Sequence, residues 1–108
     1  IVLAGFLLKI PEYMIKKYSN AIVNIHPSLL PKYGGVNMYG MHVHNAVVAN
    51  RELKTGITIH YVNKDYDKGA KIFQISCDLD GNESPESVKR KVQALEAIHY
   101  PKVIDSIL

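Results

Sequence analysis

A continuous apolar run, IVLAG at 1 to 5, and a second apolar strand segment, AIVNIH at 21 to 26, frame a segment in which Ile10, Met14 and Tyr18 recur every four residues. Unbroken apolar runs of this length fit strands covered on both faces. Recurrence at four, just after Pro11 in a position that a first helical turn tolerates, fits a helix. A strand, a helix and a strand in that order restrict the chain to α/β arrangements in which a parallel crossover is right-handed.

The remainder extends that pattern. After the proline- and glycine-rich PSLLPKYGG, which must be loop, Val43, Ala46 and Val47 fall on one helical stripe between Tyr39 and Ala49. GITIHYV alternates Ile57, Ile59 and Tyr61 against Thr58, His60 and Val62, and AKIFQISC puts Phe73, Ile75 and Cys77 on one face. Gly69 lies in the turn between these two segments, so the pair reads as an antiparallel hairpin. Ser84 and Pro85 open a last helix as N-cap and first helical residue, with Val88, Val92, Leu95 and Ile98 following and Pro101 expected to end or kink it. The expected fold is a three-layer α/β protein whose mainly parallel sheet carries an antiparallel extension.

Composition limits the function classes. At 108 residues, 47% apolar and 21% charged, the chain has the size and balance of one ordinary globular domain. A single cysteine, Cys77, excludes an intrachain disulfide and suits a reducing, cytoplasmic setting. No apolar run is long enough for a membrane span. The net charge of +3 comes from dispersed residues such as Lys16, Lys17 and the KRK at 89 to 91, without the arginine-rich, aromatic-interleaved surface of a nucleic-acid binder. The chain opens inside an apolar run without methionine, as expected of a fragment.

The stretch NIHPSLLP carries the chemistry. Asn24 and His26 lie two apart near the carboxyl end of a strand and so project from the same face, at the end where α/β sheets bind ligands. An amide donor beside an imidazole suits acyl transfer, the amide bonding a developing oxyanion and the imidazole handling protons or adding positive charge. NKDYDKGA offers Asp65 and Asp67 as carboxylates that could orient an imidazole or a water. His42 and His44 point about 200 degrees apart on a helix and do not chelate together, so no metal is expected.

NIHPSLLPKYGG, together with LAGF at 3 to 6, TGITIHYVNKDYDKGAKIFQ at 55 to 74 and VQALEAIHYP at 92 to 101, closely resembles the phosphoribosylglycinamide formyltransferases of purine biosynthesis. The resemblance implies a Rossmann-like formyltransferase fold and transfer of a formyl group from 10-formyltetrahydrofolate to the amine of glycinamide ribonucleotide. It places the catalytic trio on Asn24, His26 and Asp67, with His60 as a further partner in their polar network. It places the folate against Leu7, Leu8, Lys9 and Ile10 and against Val62, Asn63, Lys64 and Asp67, and the nucleotide against Gln93 and Glu96. The chain would be the carboxyl-terminal catalytic and folate-binding half, lacking the glycine-rich phosphate loop of the other half and hence inactive alone.

Leu8 stands where many members carry Arg. The resemblance also admits a cis Leu30–Pro31 bond, against the trans default. The rival readings are a formyltetrahydrofolate hydrolase, a methionyl-tRNA formyltransferase, and a non-catalytic folate-binding module.

Overall fold

The computed structural model describes residues 1 to 108 except Leu7 and Tyr66. Its elements run β1 (Val2–Leu3), α1 (Glu12–Lys17), β2 (Val23–His26), α2 (Met41–Ala49), β3 (Lys54–Tyr61), β4 (Lys71–Asp78) and α3 (Pro85–Ile107). The α/β class and the element order are those expected. The four strands form one sheet in the order β1-β2-β3-β4. It is mixed: β1 and β2 are parallel, β2 and β3 antiparallel, β3 and β4 antiparallel. Parallel pairing among the described residues is therefore confined to the two-residue β1, and the antiparallel extension supplies most of the sheet. The long loop and α2 after β2 bring the chain back at the end it left from, which is the geometry of an antiparallel neighbour.

Strand alternation sorts the side chains into two faces. Val23 and Ile25 of β2 and Ile57 and Ile59 of β3 join Val43 and Val47 of α2 and Val88 and Val92 of α3 in one buried cluster. The alternate residues Asn24, His26, Thr58 and His60 belong to the opposite face, since register sets Asn24 against His60 and His26 against Thr58. Loop residues from 27 onward bind that second face. The Thr58 hydroxyl accepts from Leu30 N at 3.0 Å and donates to Ser28 O at 2.7 Å, and the Gln74 amide donates to Leu30 O at 3.0 Å and to Thr58 Oγ1 at 2.9 Å. Leu30–Pro31 is cis. Helix α1 buries none of its residues.

Helix starts follow the local signals. Ser84 caps α3 by accepting from Ser87 N at 3.1 Å, with Pro85 next. Pro11 stands one place earlier than expected, as the N-cap of α1 rather than inside its first turn. Pro101 does not end α3, which continues to Ile107. An interior proline costs a helix about 3 kcal/mol, but Tyr100 before it is buried and Val103 and Ile104 after it pack on the core. Burial on both sides outweighs the local penalty.

Candidate active site

His26 is held from two sides. Its Nε2 lies 2.7 Å from Tyr33 O and its Nδ1 3.3 Å from Asp67 Oδ1, with the ring buried. The carbonyl and the carboxylate are both acceptors, so only a doubly protonated ring donates to both at once. Tyr33 and Asp67 themselves both sit in left-handed backbone conformations, with φ of 56° and 55°. For a bulky residue such as Tyr33 that costs about 1 to 3 kcal/mol, and strain of this kind concentrates at functional sites.

Asp67 reaches the histidines because its turn folds back tightly. A Cβ on Gly69 would collide with the Tyr61 carbonyl, so only glycine lets the turn lie against the end of β3. Gly34 is constrained less severely, by side chains: a Cβ there would stand 2.6 Å from Leu30 Cδ2 and 3.3 Å from Asp67 Cβ. The neighbouring Gly35 N donates to Asp67 Oδ2 at 3.0 Å, which locks the two loops together. Burial would raise the Asp67 carboxyl, but hydrogen bonding to His26 and His60, the charge of His26 and the Gly35 N–H together hold it well below the usual carboxylate range.

His60 links the carboxylate to the amide. Its Nδ1 lies 2.9 Å from Tyr61 O and so carries a proton, and its Nε2 lies 3.4 Å from Asn24 Nδ2. The same Nε2 lies 3.7 Å from Asp67 Oδ1. A neutral ring accepts from Asn24, whereas a protonated one would donate to Asp67. A register shift at Ile59 and His60 interrupts the β3–β4 ladder at this point, and such bulges re-aim side chains next to active sites.

The network opens into a cavity of about 580 Å³, within the range of ligand sites. Its lining includes Leu8, Lys9 and Ile10, Val62, Asn63, Asp65 and Asp67 from the turn after β3, and Gln93 and Glu96 of α3. Asn24, His26 and His60 belong to the same lining. Burial raises the Glu96 carboxyl. Of the residues expected from the sequence, Lys64 is the exception: it is exposed, absent from the lining, and central to a turn closed by Asp65 N donating to Asn63 Oδ1 at 2.9 Å. Leu7 lies outside the described residues.

The cavity also has members that the sequence did not announce, His44 and Tyr100 foremost. The Tyr100 hydroxyl donates to Leu3 O at 2.6 Å and approaches Val23 O at 3.4 Å, tying α3 to the ends of β1 and β2. Burial and then the charge of Glu96 push this phenol up to about 12. Tyr100 closes the stripe of Val88, Val92 and Leu95, but its hydroxyl partners are 97 and 77 residues away in the chain.

The formyl transferase family profile matches residues 1 to 104, nearly the whole chain. The chain belongs to that family. Among formyl transferases it is 37% identical to the chloroplastic phosphoribosylglycinamide formyltransferase of Arabidopsis thaliana, over 99% of this chain and 37% of the relative. It is 34% identical to the phosphoribosylglycinamide formyltransferase of Bacillus subtilis strain 168, over 100% of this chain and 53% of the relative. The crystal structure of phosphoribosylglycinamide formyltransferase from Bacillus halodurans superposes with a TM-score of 0.88 at 33% identity, covering 99% of this chain and 53% of that one. The chain thus spans from about a third to about half of these formyl transferases.

Proposed function

We propose that the chain forms the transfer centre of a phosphoribosylglycinamide formyltransferase, moving the formyl group of 10-formyltetrahydrofolate to the amine of glycinamide ribonucleotide in the cytoplasm. The observation that supports it most is the linked set Asn24–His60–Asp67–His26, four polar side chains from two strands and a loop that line one cavity. Membership of the formyl transferases gives the reaction class. The folate lies against Leu8, Lys9, Ile10, Val62, Asn63 and Asp67, where main-chain donors and acceptors suit a pterin. The nucleotide lies toward Gln93 and Glu96.

Asn24 spends one amide N–H on His60 and has the second for the formyl oxygen as it becomes an oxyanion. Such a donor is worth about 3 to 4 kcal/mol of transition-state stabilisation. His26, with both ring nitrogens engaged, acts on that oxygen through its charge rather than through a free N–H. The amine attacks the formyl carbon, the bond to the folate nitrogen breaks, and the proton lost by the amine finishes on that nitrogen. Asp67, with a depressed pKa, is a poor final store for this proton. Its part is to hold His26 charged and to orient the water that carries the proton onward.

Asn24→Ala in the full-length protein is expected to lower kcat by roughly 10² to 10³ with little change in melting temperature. An unchanged kcat would remove the oxyanion role. In this reading the acceptor's phosphate is gripped by sequence outside these 108 residues, so the isolated chain binds folate and turns over little. Formyl transfer by the isolated chain at the rate of the full-length protein would refute that assignment.

A further inference from the structure

His44 occupies a place where an apolar residue would serve the fold better. It lies on α2 between Val43 and Val47 on the buried side, is itself only 3% exposed, and has no hydrogen-bond partner for its Nδ1. A buried polar atom without a partner costs about 1 to 3 kcal/mol. A histidine kept for structure would be expected to satisfy its ring, as His26 and His60 do through Tyr33 O and Tyr61 O. His44 also lines the cavity, together with Asn24 and with Lys89, Gln93 and Glu96 of α3.

We infer that His44 is a binding residue for the acyl acceptor, donating a ring N–H to an electron-rich oxygen of that substrate, a carbonyl or hydroxyl close to the attacking amine. Three observations lead there. The ring lacks a partner that a bound group can supply. Its position on the lining is shared with the α3 residues and with the amide donor. Its surroundings are positive: burial first, then Lys89 and His26, lower the His44 pKa, so the ring stays neutral and retains one N–H to give. A positive field favours an oxygen and disfavours an ammonium group, which also keeps an attacking amine in its unprotonated, nucleophilic form.

The inference rests on the formyl-transfer reading, and the experiment separates the two. In the full-length protein, the His44 ring nitrogens are followed by NMR while glycinamide ribonucleotide or folate is added, and His44→Leu is assayed and melted alongside. The expected result is a ring shift on adding the ribonucleotide but not the folate. The variant should show a KM for the ribonucleotide raised about tenfold, the equivalent of one hydrogen bond, at an unchanged folate KM. Its melting temperature should hold or rise, because the unpartnered nitrogen is gone. A ring that ignores the ribonucleotide, or a variant with both KM values unchanged, overturns the role of His44 while formyl transfer stands. Absence of transfer by the unaltered protein overturns the activity reading instead, and a ring shift with the ribonucleotide would still support His44 as a contact.

Discussion

A single carboxylate does much of the organising at the residue scale. Asp67 accepts from His26 and the Gly35 amide, and from His60 when that ring is protonated, and each donation favours its ionised form. Because its folded pKa lies below its unfolded value, the ion contributes stability above about pH 4, and that contribution is lost as pH falls toward the folded value. Melting temperatures between pH 6 and pH 3 should therefore fall more steeply for the wild type than for Asp67→Asn; parallel curves would mean the carboxylate is not stabilised in the folded state. The pairing of Asn24 with His26 was legible from the period of a strand. That His60 stands directly across from Asn24 was not, because alternation gives a face but not a register. His44 was hidden for a related reason: the Val43 and Val47 stripe marks the buried side of α2 but not how wide that side becomes where α3 packs on it.

Among the elements, the loop after β2 behaves as a structural layer. Ser28 and Thr58 are both fully buried, and Thr58 alone joins Ser28, Leu30 and Gln74. Ser28 Oγ in turn donates to Lys32 O at 2.6 Å, one residue before the Tyr33 carbonyl that receives His26. Thr58→Val keeps the shape and removes the hydroxyl, leaving buried groups without partners, and should cost about 2 to 4 kcal/mol in urea unfolding. A cost below about 0.5 kcal/mol would show that the loop is held by something else. The same variant should lower turnover of the folded protein, since the His26 partner sits at the end of this chain of bonds. Proline and glycine in PSLLPKYGG marked the segment as loop, but local rules cannot reveal that a loop is docked by side chains from β3 and β4.

Viewed as a whole molecule, the sheet has one edge at β1, a strand of two residues paired on one side only among the described residues. Ile1, Val2 and Phe6 are each about half exposed beside it. Apolar side chains left exposed together at an unpaired sheet edge are a surface that another chain can bury. The isolated 108-residue polypeptide should therefore self-associate at micromolar concentration in light scattering, and Val2→Lys should reduce this; a strictly monomeric wild type would contradict it. No helix among the described residues is long and apolar enough to cross a membrane. The sequence by itself determined the element order, the capped start of α3 and the grouping of Asn24 with His26, because those follow from local periodicity and from the hydrogen-bonding needs of single residues. Only the tertiary structure decided the mixed sheet, the passage of α3 through Pro101 and the meeting of Asp67, His60 and His26, because each depends on contacts between residues far apart in the chain, whose burial and pairing outweigh local preference.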